Sequence, residues 1–265
     1  MNQYGYRFEV GTDGVAVLTL DRPDTLNSLT FALYGELERL FRDLETDDAV
    51  KVVVLTGAGR GFCSGGSVDD IIGPLLESNI QDTLEFTRMT GAVVQNMLRL
   101  SKPVITAVNG VAAGAGSVLA LASDFRILSE HAKFAFLFTK VGLTGADMGA
   151  AWLLPKVVGT GRAMELLMLG DKVDAHECHR IGLANRVVPA DQLMDTAMTL
   201  ARRLAQGPSM AYAMTKKMVW NEWPMDLAAA IEQEAQAQAL LLRAHDHREF
   251  YMAWKEKREP RFLGR

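Results

Sequence analysis

Apolar positions recur along the chain with a period that switches between two and roughly 3.6, and the switches mark its elements. Phe8-Glu9-Val10 and residues 15–20 alternate on either side of Thr12-Asp13-Gly14, which predicts an antiparallel hairpin. Leu33, Tyr34, Leu37, Leu40, Phe41 and Leu44 then recur at helical spacing, and a short β-branched run at residues 50–55 ends at Gly57. Phe86, Met89, Val93, Met97 and Leu100 predict a further helix. The stretch 103–123 is an apolar strand that stops at Asn109-Gly110 and restarts as a small-residue helix after Gly114-Ala115-Gly116. Residues 125–128 and 133–138 read as two more strands, 162–169 as a helix stopped by Gly170, and Leu193, Ala197, Leu200, Ala201 and Leu204 as another ending before Gly207-Pro208. Strand–helix repetition of this kind implies an α/β fold with a largely parallel sheet. Beyond it the chain turns helical, and residues 225–245 carry almost no turn chemistry. The expected division is an α/β core over residues 1–200 and a helical lobe over 201–265, packed on that core or on a neighbouring subunit.

Two glycine-rich stretches interrupt the pattern. Residues 58–67, AGRGFCSGGS, hold four glycines, and Gly114-Ala115-Gly116 joins a strand to a helix start. Glycine lets a backbone approach a neighbour closely, and the N–H groups at a helix start are unpaired and lie in positive potential. Both stretches are therefore candidate anion or oxyanion sites.

Composition narrows the classes that remain. The 265 residues are 49% hydrophobic and 23% charged, enough for one large core, and a net charge of −4 without a basic run excludes a nucleic-acid surface. Two cysteines cannot build a disulfide framework. With no charged-then-apolar leader and no long uninterrupted apolar span, a reducing, cytoplasmic setting away from membranes is expected.

Three local features suggest sharper chemistry and fall short of it. Gly57-Ala58-Gly59-Arg60-Gly61 follows a strand, but its third glycine is misplaced for a dinucleotide loop and no helix resumes behind it. His176, Cys178 and His179 are metal-ligand types, yet they lack finger spacing and read more simply as a helix start after Asp174, so no metal site is expected. Ser117 lacks the following glycine of a nucleophile elbow and serves as a small residue at a helix start. The four tryptophans and thirteen methionines read as packing.

Six segments in order carry a resemblance to a known family. They are Leu20-Asp21-Arg22-Pro23 with Leu26-Asn27-Ser28-Leu29, Gly61-Phe62-Cys63-Ser64-Gly65-Gly66, residues 102–124, Val157-Val158-Gly159 with Ala163-Met164-Glu165, residues 175–188, and a final helix over Glu256-Lys257-Arg258-Glu259-Pro260-Arg261-Phe262. Together they make the chain similar, over nearly its full length, to the crotonase (enoyl-CoA hydratase/isomerase) superfamily. The resemblance implies a crotonase-like repeated β-β-α spiral core with a C-terminal helical lobe. It also implies an acyl-CoA thioester substrate, no cofactor beyond the CoA of that substrate, and a homotrimer or a hexamer of paired trimers, to which the apolar helix within 225–242 would lend a surface.

By position the implied oxyanion donors are the N–H groups of Gly66, expected to need freedom of φ, and Ala115. One such donor is worth on the order of 3 kcal/mol of barrier in acyl transfer. Arg22, Leu26, Cys63, Ser64, Gly65, Gly114 and Phe138 are the implied substrate- and CoA-binding positions. The two hydratase glutamates fall at Val118 and Phe138, neither of which can move a proton. Asp147 stands instead near a position where the dienoyl-CoA isomerase branch has an aspartate; it reads equally as the N-cap of the helix that follows. Asp69, Asp70 and Glu85 are alternative carboxylates that read as solvated surface. Phe86, Met89, Phe136, Phe138 and Trp152 hint at an apolar or aromatic acyl group. The expectation is an acyl-CoA isomerase, hydratase or lyase. A thioester or carbon–carbon hydrolase on the same scaffold and a non-catalytic acyl-CoA binder are the alternatives.

Overall fold

The computed structural model describes residues 4–265. The opening hairpin pairs β1 (Tyr6–Val10) with β2 (Val15–Leu20), Tyr6 opposite Leu20 and Val10 opposite Ala16. From β2 a parallel sheet continues through β3 (Val52–Gly57), β5 (Val104–Val108), β7 (Phe125–Ser129) and β10 (Arg186–Val188), after the smaller strand β4 (Gly61–Cys63) and its partners branch off. Those partners are β6 (Val111–Ala113), β8 (Lys133–Ala135) and β9 (Val173–Asp174). The small sheet runs β4-β6-β8-β9, with only the β8–β9 pair antiparallel among its pairings.

Helices follow each pair of strands: α1 (Phe31–Asp43) precedes β3, and α2 (Gly73–Leu76) and α3 (Ile80–Arg99) follow β4. Next, α4 (Ala115–Leu121) follows β6, and α5 (Ala150–Val158), α6 (Thr160–Leu169) and α7 (Ala175–Arg180) surround β9. The unit is thus one strand of the large sheet, one of the small sheet, then helix, repeated three times, as the crotonase-like β-β-α expectation requires. The helix starts follow from local chemistry. Thr30 Oγ1 accepts the Leu33 N–H at 3.2 Å ahead of α1, and Asn79 Oδ1 accepts the Asp82 N–H at 3.0 Å ahead of α3.

Alternation along β3 shows why the large sheet is apolar on both faces. Val53 and Leu55 belong to the main core with Leu33, Leu37 and Met97, whereas Val52 and Val54 face α8 (Leu193–Ala205) through Ala197 and Ala201. The boundary read at residue 200 therefore falls inside a helix. Ala201 and Ala205 are buried against the sheet, so α8 belongs to the core. The lobe proper is α9 (Ser209–Asn221), α10 (Leu227–Leu241) and α11 (His245–Glu256). It is fastened by Lys216, whose ammonium donates to Asp124 Oδ2 at 2.8 Å, the Met97 carbonyl at 3.1 Å and the Lys102 carbonyl at 3.2 Å.

Several sequence expectations shift. The strand read at 50–55 begins at Val52, because Val50 still donates to Asp47 in a turn. The strand read at 133–138 stops at Ala135, where its partner β6 ends opposite at Ala113; Phe138 lies in the 3-10 turn Leu137–Val141 instead. The helical stretch 225–245 breaks after Leu241, where Arg243 and Ala244 donate to Leu240 and Leu241 before α11 begins. The final segment is no helix beyond Glu256: Lys257 turns left-handed at φ 54°, and the chain folds back as a strap. Asp246 holds that strap by accepting the Leu263 and Gly264 N–H groups at 2.7 and 2.8 Å.

Candidate active site

The first glycine loop is anchored from below by Asn27, 1% exposed. Its amide donates to the carbonyls of Ala58, Gly61 and Phe62 at 2.9, 2.8 and 3.1 Å, and its Oδ1 accepts the Arg22 N–H at 2.8 Å. Asn27 itself is left-handed at φ 58°, a conformation asparagine tolerates better than most residues. Further along, Ser64 N–H donates to the Leu26 carbonyl at 2.9 Å and Ser64 Oγ to the Thr25 carbonyl at 3.0 Å. Leu29 N–H donates to the Gly65 carbonyl and Ser67 N–H to the Leu29 carbonyl, both at 2.8 Å. This bridge leaves the Gly66 N–H pointing away from it.

The second loop meets the first directly. Gly114 N–H donates to the Ala135 carbonyl at 2.9 Å, and Gly114 has φ 51° and ψ −123° as the residue before α4. A Cβ on Gly65 would lie 3.0 Å from the Ala113 carbonyl oxygen and 3.5 Å from the Ala115 nitrogen, so the two turns are in van der Waals contact. Conformational freedom is needed at Gly65, with φ 99°, and not at Gly66, whose φ is ordinary; the expectation placed it one residue late. Gly116 is required for another reason, since a Cβ there would sit 2.3 Å from the Cys63 carbonyl oxygen. Among the described residues, neither the Gly66 N–H nor the Ala115 N–H has an acceptor in the chain. Two free donors on touching loops can each offer a hydrogen bond to an acceptor brought against them.

The remaining positions sort by chemistry. Val118 is fully buried in α4 and Phe138 is buried in its turn, and neither side chain can carry a proton. Cys63 is fully buried, and burial pushes its thiol up to about 12, which makes it packing under the first loop. Arg22 donates to the Ser28 carbonyl at 2.8 Å and pairs with Asp70 at 3.3 Å. Asp69, Asp70 and Glu85 are exposed, and Asp70 is further engaged by Ser67 Oγ at 2.9 Å.

Asp147 is different. It is not the N-cap of α5, which Gly149 precedes without a side-chain cap. Its Oδ1 accepts only the neighbouring Met148 N–H, at 2.9 Å, among the described hydrogen bonds, and burial raises its proton affinity above the ordinary aspartate value, against the opposing effect of that bond. Beside it lies Tyr34 on α1, which the sequence showed only as a helix-face residue. Tyr34 is 3% exposed, its ring meets Phe86 edge-on at 5.7 Å, and its hydroxyl reaches Met148 Sδ at 3.9 Å. Burial holds that phenol far above its ordinary value, with the Cys63 and Asp147 charges adding to the effect. Tyr34 thus ties the floor of the first loop to the Asp147 segment.

The Gly57–Gly61 turn leads into β4 and not a helix. Ser117 Oγ donates to the Gly114 carbonyl at 2.6 Å, while His131 is exposed. His179 bonds the Ala184 carbonyl, Asp174 caps α7, and no cluster of three metal-ligating side chains occurs among the described residues. No helix among those residues is long and apolar enough to cross a membrane.

Comparison with known proteins agrees with this geometry. The family model for enoyl-CoA hydratase/isomerase matches residues 11–265. The chain is 39% identical over 259 residues to the 1,2-epoxyphenylacetyl-CoA isomerase of Escherichia coli K12, covering 95% of this chain and 96% of that protein. A solved structure from Streptomyces coelicolor A3(2), provisionally assigned as an enoyl-CoA hydratase, is 52% identical and superposes with a TM-score of 0.97 over 100% of this chain and 96% of the other. The enoyl-CoA hydratase of Bacillus anthracis is 31% identical, with a TM-score of 0.92 over 98% of this chain and 100% of its own. The fold repeats, the paired glycine loops and these matches place the chain in the enoyl-CoA hydratase/isomerase family.

Proposed function

We propose that the protein is an acyl-CoA isomerase of this family, in which the thioester carbonyl oxygen lies between the Gly66 and Ala115 N–H groups. Enolate character developing on that oxygen is stabilised there by donors that need no reorganisation, with the start of α4 adding positive potential behind Ala115. Asp147 takes a proton from one carbon of the acyl chain and returns it to another. A single carboxyl serves for this, and one whose proton affinity is raised by burial is better matched to carbon acids near neutral pH than an ordinary surface aspartate. Water addition needs a second acid–base group, and Val118 and Phe138 supply none. Arg22, Leu26, Ser64, Gly65 and Gly114 frame the approach of the CoA moiety, and Cys63 and Phe138 line it from beneath. No cofactor is required, since CoA travels with the substrate.

The observation that carries this reading is the pairing of two acceptor-free N–H groups with one half-buried carboxyl where both hydratase glutamate positions are apolar. The name of the 39% identical relative, a 1,2-epoxyphenylacetyl-CoA isomerase, points the same way. A panel of enoyl- and aryl-acyl-CoA esters tests it. Isomerised thioester without free CoA is expected, and hydration of crotonyl-CoA should be feeble. Release of free CoA would indicate a hydrolase instead, and binding without turnover a protein that only holds acyl-CoA.

A further inference from the structure

A cavity of about 890 Å³ is lined by neither Gly66 nor Ala115. It lies between α3, α5 and α9, and Met148 and Gly149 form the part of its wall adjacent to Asp147. Val94, Leu153, Trp152 and Trp220 contribute apolar surface around it, the two indoles 5.6 Å apart. Pockets for drug-sized ligands span roughly 300–1,000 Å³, so this space far exceeds what a four-carbon acyl chain fills.

Met148 occupies the partition. It is 6% exposed, its N–H is bonded to the Asp147 carboxylate, its sulfur meets the Tyr34 hydroxyl, and it also lines the cavity. Its backbone is left-handed at φ 49°, followed by Gly149 at φ 88°. A bulky non-glycine residue in that region is unusual, and such conformations concentrate at binding and catalytic segments. Methionine is unbranched and flexible, and a thioether is a weak acceptor for a phenol, so the Tyr34 contact does little to fix the side chain, and packing in the core is what a rotation must overcome.

We propose that Met148 is a specificity-determining gate, and that the cavity behind it receives the distal part of a bulky apolar acyl group, aryl or medium-chain, whose reacting carbons lie at Asp147. This rests on the acyl-CoA isomerase reading above and specifies its substrate class. The occupant follows from continuity: the cavity adjoins the candidate proton carrier through one side chain, Met148, and Val94, Leu153, Trp152 and Trp220 give it an apolar part, while Glu45, Arg99, Lys216 and Lys217 are the charged part of its lining.

The test compares affinities of butyryl-CoA and octanoyl-CoA, saturated analogues, together with tryptophan emission. Each buried methylene contributes about fourfold in affinity. The native protein should bind octanoyl-CoA at least about tenfold more tightly than butyryl-CoA, with emission from Trp152 and Trp220 responding to the longer ester. Met148→Phe, which narrows the gate, should cut that ratio about tenfold, and Met148→Ala should raise it severalfold. A ratio near one in the native protein, or the same ratio in Met148→Ala, overturns the gate while leaving acyl-CoA binding intact. Should Met148→Phe not fold, Met148→Ala decides alone. If neither ester binds the native protein, the acyl-CoA reading itself fails and the gate fails with it.

Discussion

Asp147 binds its proton more tightly in the folded chain than in the unfolded one, because burial penalises the carboxylate. In the window between its ordinary value and the raised one, the folded state holds more protons, so stability contributed by this group is present at low pH and lost as pH rises through that window. Asp147→Asn removes this slope. The variant should match the native protein in thermal stability at about pH 4 and be no less stable at about pH 7. A clear loss of stability at neutral pH would show that the carboxylate serves the fold. Other residues explain what the sequence could and could not convey. Gly65 and Gly66 are adjacent and chemically identical, so only the backbone reveals that Gly65 carries the left-handed φ and the contact with the second loop. Asn27 stood within a recognisable segment, yet its three amide bonds to a loop more than thirty residues away have no local signature.

At the scale of elements, the hairpin was legible from its turn residues between two alternating runs, and α1 and α3 from clean periodicity, because each helix buries one face and exposes the other. Ends set by a partner were not. β8 stops at Ala135 because β6 stops at Ala113, and the break after α10 lies in an Ala- and Leu-rich stretch where propensity offers no stop signal. The join between core and lobe is likewise a tertiary fact. Lys216 of α9 pairs with Asp124, and both side chains are largely buried, at 8% and 16% exposure. Asp124 also accepts the Val104 N–H at 2.7 Å, so one carboxylate connects the lobe to the central strand. Removing one partner of such a pair leaves an uncompensated charge, and Lys216→Met should cost about 3 kcal/mol of stability by denaturant unfolding. A loss below about 1 kcal/mol would mean that solvent reaches Asp124 readily and the strut is weak.

The whole molecule divides into a core that buries its own apolar surface and a lobe that does not. Apart from the Lys216 side chain, α9 and α10 bury little within the chain, and Leu227, Leu240 and, on α11, Trp254 are 76%, 60% and 69% exposed. Apolar surface of this extent calls for a protein partner, and we propose that copies of the chain assemble through the lobe into trimers, alone or in pairs. Light scattering should give three or six times the 29.0 kDa chain mass, and a monomer at working concentration would contradict this. The central claim, that paired backbone donors stabilise an enolate while Asp147 moves its proton, is reached most directly by deuterium incorporation at the α-carbon of a bound acyl-CoA in D2O. The native protein should exchange that proton, and Asp147→Asn should slow exchange by about 10²-fold or more with the fold intact. Exchange at the native rate in Asp147→Asn would contradict the account.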